Sequence, residues 1–301
     1  MKLYHVILVI LLSAVTAFGT ASFMGSPGGK SGASPSAARE SAYDRVMRTG
    51  TLRCGYAQYP KFVERDLNTG KFSGIYYEVM EEIGKQLSLK IDWAQEVGFA
   101  DAFDGLKTGR YDVVCFPLNQ TPGRARVTEF TVPIVFGPSF IYARADDSRF
   151  DNDYSKINDP SVKMAFMEGE LTQTIRNEDF PKTQAVSLNG LADVAQVLMQ
   201  VTTGKADVAT TEPSTAEEFL RNNPGKLKRV PGPPLRIQVV GVDVNVGEES
   251  LRKLLDTTIQ SLHATGFIER TVNKYTVAPD ELFFPANPWG VAAKPIGGAK
   301  P

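Results

Sequence analysis

One seven-residue phrase occurs twice in this chain. Thr108-Gly109-Arg110-Tyr111-Asp112-Val113-Val114 is echoed by Thr203-Gly204-Lys205-Ala206-Asp207-Val208-Ala209. Apolar residues at helical spacing precede each copy: Ala102, Phe103 and Leu106 before the first, Leu191, Val194, Ala195 and Leu198 before the second. The glycine suits the left-handed position that closes a helix, and the apolar pair after the aspartate begins a strand. Helix, glycine, strand, twice over, predicts parallel sheets covered by helices. At about 150 residues per domain, a chain of 301 residues has room for two such units.

The residues after each strand indicate function. Past Val114 come Cys115-Phe116-Pro117-Leu118-Asn119-Gln120-Thr121-Pro122-Gly123-Arg124, and past Val208 come Ala209-Thr210-Thr211-Glu212-Pro213. Both strands end in polar residues and both then place proline at an expected first helical position. Open α/β sheets bind ligands beyond the carboxyl ends of their strands, at helix N-termini. One run supplies a cation, Arg124, and the other an anion, Glu212. On facing walls of a cleft these two suit a zwitterion, the guanidinium forking onto a carboxylate and the carboxylate holding an ammonium.

Composition removes several alternatives. The formal net charge is -1, so no global field favours nucleic acid or an anionic membrane. The two histidines, His5 and His263, and two cysteines, Cys54 and Cys115, have no metal-site spacing. No metal and no cofactor are expected. Nucleophilic-triad chemistry would rest on His263 alone. His263 falls on the polar side of the Leu251, Leu254, Leu255, Ile259, Leu262 helix and is expected in solvent. Cys54 and Cys115 both lie in strand-like runs; two buried thiols and a disulfide between neighbouring strands are both open readings.

The N-terminus reads as an export signal over 1–21. Lys2 precedes an apolar run from Val6 to Phe18, and Gly19-Thr20-Ala21 fits a small-residue cleavage site. The alternative is an uncleaved anchor, although the apolar stretch is short for a span of about 20 residues. Ser, Gly, Ala and Pro dominate 22–40, the composition of a flexible linker. The folded part is expected from Ser41 onward.

Several runs resemble the periplasmic amino-acid-binding proteins of ABC importers, extracellular solute-binding protein family 3. They are Gly50-Thr51-Leu52-Arg53-Cys54-Gly55-Tyr56 with Tyr59-Pro60-Lys61-Phe62, and Gly70-Lys71-Phe72-Ser73-Gly74-Ile75-Tyr76-Tyr77-Glu78-Val79. The first copy of the repeated phrase belongs with them. The most specific is Thr121-Pro122-Gly123-Arg124-Ala125-Arg126-Val127-Thr128-Glu129-Phe130-Thr131-Val132-Pro133. The resemblance covers about Tyr43 to Tyr275 and is looser in the second half. It implies a two-lobed type II periplasmic-binding fold, with 41–137 plus 237–301 as the first lobe and 138–236 as the second. Crossings are expected near Ile134 to Ser139 and Pro231 to Ile237.

The resemblance also implies a ligand site. Arg124 matches the arginine that takes the ligand's α-carboxylate, and Glu212 falls on the aspartate that accepts the ammonium. Asn119 stands where Ser or Thr is usual, Phe99 at a pocket aromatic, and Tyr56, Tyr59 and Phe116 near pocket-lining strand ends. Gly169 matches a turn glycine whose backbone amides contact carboxylate. Three positions depart from the pattern. Glu170 replaces a Thr or Ser that touches the carboxylate, Met167 stands where some members are polar or basic, and Glu212 is one methylene longer than aspartate. Either Glu168 and Glu170 face solvent, or the ligand carries additional positive charge.

The function these readings imply is an exported, monomeric, periplasmic protein without nucleic-acid partners. It closes on a small polar or zwitterionic ligand, an amino acid, and delivers it to an ABC permease in the inner membrane. Two alternatives stand beside it. One is a cyclohexadienyl-dehydratase-like enzyme with Glu212 as general acid. The other is a sensor or accessory binding subunit outside transport.

Overall fold

The computed structural model describes residues 40–285, apart from positions 100, 152, 190, 191, 193 and 277–279. The expected export signal, the expected linker up to residue 39 and Leu191 lie outside the described residues. Among the described residues no helix is long and apolar enough to cross a membrane.

Helix α1 (Ala42–Thr49) starts at Ser41, whose hydroxyl accepts the Asp44 N–H, and stops at Gly50. There follow strand β1 (Thr51–Tyr56), the short pair β2 (Glu64–Arg65) and β3 (Phe72–Ser73), helix α2 (Ile75–Leu87) and strand β4 (Lys90–Glu96). Next come α3 (Ala102–Thr108), β5 (Val113–Val114), a 3-10 turn (Arg124–Arg126), β6 (Thr128–Phe130) and the long β7 (Val135–Arg144). The second half contains β8 (Lys163–Met167), α4 (Leu171–Asp179), β9 (Gln184–Leu188), α5 (Val194–Thr202), β10 (Val208–Thr211), α6 (Pro213–Asn222) and β11 (Leu227–Arg229). The chain returns through β12 (Arg236–Val240) to β13 (Asp243–Asn245), α7 (Glu249–Ala264) and α8 (Phe267–Tyr275).

Two mixed sheets result, one for each lobe of a two-lobed α/β fold. The first has the order β4-β1-β5-β13-β6 and the second β11-β7-β10-β8-β9. Pairs β1–β4, β1–β5, β8–β9 and β8–β10 are parallel, as helix–strand alternation requires. Strands entering from a crossing run antiparallel: β13 against β5 and β6, and β7 against β10 and β11. β7 serves both halves, pairing with β12 over Val135 to Ser139 and with β10 over Phe140 to Ala143. Phe136 and Phe283 exchange backbone hydrogen bonds of 2.7 and 2.8 Å, which lays the 280–285 segment along the same crossing.

The repeated phrase is repeated in structure. Gly109 and Gly204 both hold left-handed φ angles, 71° and 73°. Each aspartate then anchors the neighbouring strand: the Arg53 N–H donates to Asp112 and the Lys163 N–H to Asp207, both at 2.8 Å. Arginines complete both anchors, Arg53 and Arg45 on Asp112, Arg149 on Asp207. The aspartate is therefore a strand-end clamp, the same in each lobe.

One open choice is settled and two expectations change. Cys54 and Cys115 are joined in a disulfide (S–S 2.05 Å, Cα–Cα 5.5 Å), because β1 and β5 are sheet neighbours with Cys54 level with Val113. His263 is half-buried rather than solvated. Its Nε2 lies 2.9 Å from the Pro133 carbonyl, since α7 packs under the 131–134 segment, and burial lowers its pKa. Pro122 does not open a helix; the Thr121 hydroxyl accepts the Arg124 N–H instead and a 3-10 turn follows. Pro213 is at the first turn of α6 as expected.

Candidate functional site

A cavity of about 590 Å³ opens between the carboxyl ends of the two sets of strands. From the first lobe it takes Gln58, Tyr59, Phe99 and Asn119; from the second, Met167, Glu170, Thr210, Thr211 and Glu212. Ser139 on β7 and Gln238 on β12 close its floor at the crossing.

Glu212 is placed by the end of β10. It is the N-cap of α6 with extended backbone (φ -76°, ψ 152°), and its carboxylate caps no backbone N–H of the helix. The side chain is free to face the cavity and is held by three donors there. The Gln238 amide donates to Oε1, while the Tyr59 hydroxyl (3.2 Å) and the Thr211 hydroxyl (3.3 Å) donate to Oε2. Gln238 also donates to Ser139 Oγ at 3.1 Å. Tyr59 belongs to the first lobe, so this contact crosses the cleft. Burial, and then the Glu212 charge, push the Tyr59 hydroxyl well above the usual phenol pKa, so it stays a donor.

Arg124 leads the 3-10 turn and reaches back to Asn119, donating to Oδ1 at 2.6 Å and to the carbonyl at 3.0 Å. Its guanidinium lies 5.9 Å from the centre of the Phe103 ring. The only ion pair the described structure gives it is with Glu170, at 3.7 Å across the cleft. Arg124 therefore stands behind the cavity wall, and Glu170 fronts it. Glu170 faces the cavity rather than solvent. Burial raises its pKa most; Arg124 pulls it down and Glu212 pushes it further up. Glu168 is exposed.

The other predicted residues divide. Tyr59 and Phe99 line the cavity as an edge-on pair, centroids 5.9 Å apart. Tyr56 and Phe116 belong to the first lobe's core instead. Tyr56 packs edge-on against Phe72 and Trp93, and Phe116, fully buried, packs edge-on behind Phe99. Gly169 is exposed and off the wall, its N–H donating to Gln173 Oε1 at 2.9 Å. Asn119 lines the cavity and at the same time orients Arg124. Sequence reading missed Ser139, Gln238 and Glu218. Ser139 is the last residue of the first expected crossing and Gln238 lies one residue beyond the second, which is the signal that was available for them. Glu218 stands one helical turn beyond Thr215, on the same face of α6.

Comparison with known proteins places this architecture. A family model described as bacterial extracellular solute-binding proteins, family 3, matches residues 52–278. A probable amino-acid ABC transporter-binding protein of Haemophilus influenzae is 23% identical over 182 residues, 60% of this chain and 67% of its own. The ABC transporter arginine-binding protein 1 of Escherichia coli is 21% identical over 223 residues, 73% of this chain and 87% of its own. The crystal structure of an ancestral amino-acid-binding protein, a precursor of cyclohexadienyl dehydratase, superposes with a TM-score of 0.68. It is 22% identical and covers 78% of this chain and 99% of its own, a likeness of fold. With its two-lobed frame and a family match over three quarters of its length, this chain belongs to the bacterial extracellular solute-binding proteins, family 3.

Proposed function

We propose that this protein captures an amino acid whose side chain carries a positive charge. One observation carries the reading: the described residues lining the cavity include four carboxylates, Glu64, Glu170, Glu212 and Glu218, and no lysine, arginine or histidine. A neutral zwitterion needs one acceptor for its ammonium; the surplus favours a second cationic group. Glu212, supported by Tyr59 and Gln238, receives the α-ammonium. Arg124 receives the α-carboxylate once the ligand displaces Glu170 from it. The names of several relatives, arginine-binding and histidine-binding among them, agree with this class.

The lobes, 41–137 with 237–301 and 138–236, close on the ligand by bending where β7 and β12 cross. The Tyr59–Glu212 contact, which spans the cleft, then favours the closed form. The closed protein, exported to the periplasm, delivers its ligand to an ABC permease. Titration calorimetry of the mature protein against arginine, lysine, leucine and glutamate tests this. Arginine or lysine binds, leucine binds more weakly, and Arg124→Ala weakens arginine by about 2–5 kcal/mol. Tighter binding of leucine or glutamate than of arginine and lysine would overturn it.

A further inference from the structure

Resting on that reading, we propose that Glu218 is the specificity-determining acceptor for the ligand's distal cation. It would hold that group in a groove between α5 and α6. The cavity does not end at Glu212. It continues along α6, where Thr215, Glu218, Phe219 and Asn222 recur at the spacing of a single helical face. Val194, Val197 and Met199 of α5 form the facing wall. One wall of the passage is apolar, and the other sets Phe219 and a single charge among the polar Thr215 and Asn222, an environment that admits a methylene stem ending in a cation.

Among the four lining carboxylates Glu218 is the one left open. Glu170 pairs with Arg124, and Glu212 accepts from Gln238, Tyr59 and Thr211. Glu64 is exposed at the rim, where it accepts the Lys61 N–H at 3.2 Å. Glu218 Oε2 is shielded from solvent and accepts from no described residue. A second, independent observation points the same way. Thr210, fully buried at the end of β10 on this cavity's wall, has a hydroxyl with no partner among the described residues. Buried polar groups of folded proteins are satisfied, so orphans facing one cavity mark what a guest supplies. Reach agrees as well. Glu218 lies six residues beyond Glu212, about 9 Å along the helix at about 1.5 Å per residue. An extended lysine or arginine spans such a gap between its α-nitrogen and its terminal nitrogen.

The test is a Glu218→Gln variant, whose side chain keeps its shape and loses its charge, assayed by calorimetry. The probes are arginine, lysine, norleucine and 2,3-diaminopropionate, whose second amine is too short to reach. Arginine and lysine should weaken at least tenfold, while norleucine and 2,3-diaminopropionate change less than twofold. Glu64→Gln, at the rim, should weaken arginine and lysine by less than threefold. Unchanged arginine and lysine affinity in Glu218→Gln, with loss in Glu212→Gln, would overturn the subsite and leave the amino-acid reading standing. A tenfold loss in Glu64→Gln would place the distal cation at the rim and overturn it equally. A wild-type protein that binds none of the probes would overturn both readings. An unchanged thermal midpoint separates each of these outcomes from misfolding.

Discussion

Glu170 changes what Arg124 does. A guanidinium already facing a carboxylate from the opposite lobe must exchange that partner before it takes a ligand's own carboxylate. Glu170→Thr should therefore tighten binding of neutral amino acids by about tenfold, roughly 1.4 kcal/mol, as calorimetry would read. The pH dependence has a definite sign. Burial raises the Glu170 pKa, so mild acid protonates it early, releases Arg124 and removes repulsion toward the incoming carboxylate. Wild-type affinity for neutral amino acids should rise as pH falls into that range, and Glu170→Thr should show no such rise. Asp243 is a second buried carboxyl, on β13, with neither oxygen partnered among the described residues; burial holds its pKa well above the carboxylate range. A raised folded pKa means that its stabilisation is complete below the unfolded pKa and declines as pH rises through the folded one. Asp243→Asn should flatten that loss, seen in urea unfolding curves taken across pH.

At the scale of elements, the helix–glycine–strand units were legible because their causes are local. Left-handed glycine, apolar spacing and proline at the first turn act over a few residues, and α3–β5, α5–β10 and the start of α6 follow them. The clamp role of Asp112 and Asp207 was not legible, because the N–H groups they hold belong to strands 59 and 44 residues away. The disulfide is similar: both readings of Cys54 and Cys115 were open until β1 and β5 were adjacent. It closes a loop of 61 residues, for which the chain-entropy estimate is about 4 kcal/mol. Reduction, or a Cys54→Ser with Cys115→Ser protein, should lose about that much in denaturant titrations. Equal stability with and without reductant would contradict it.

Across the whole molecule, charged contacts tie the two lobes and the last described segment together. Lys61 of the first lobe meets Glu217 on α6 at 2.9 Å and the fully buried Glu281 at 2.6 Å. Asp280 in turn meets Arg229 at 2.6 Å. Lys61→Met removes the cation from a buried pair, so it should lower stability by about 3 kcal/mol in thermal or chemical unfolding. It should also enlarge the ligand-free protein in small-angle scattering, since one cross-lobe tie is gone. Unchanged stability and dimensions would show these ion pairs to be incidental.

By itself the sequence determined the fold class and the two helix–glycine–strand units. It did so because helix caps, apolar spacing and strand starts follow from local pattern and chain order. Only the tertiary structure decided which of the predicted rings reach the cavity, that Glu170 rather than solvent faces Arg124, and that Glu218 is left open. Each of those depends on the burial and partners of a side chain, which arise between segments far apart in the chain and leave no mark in local spacing.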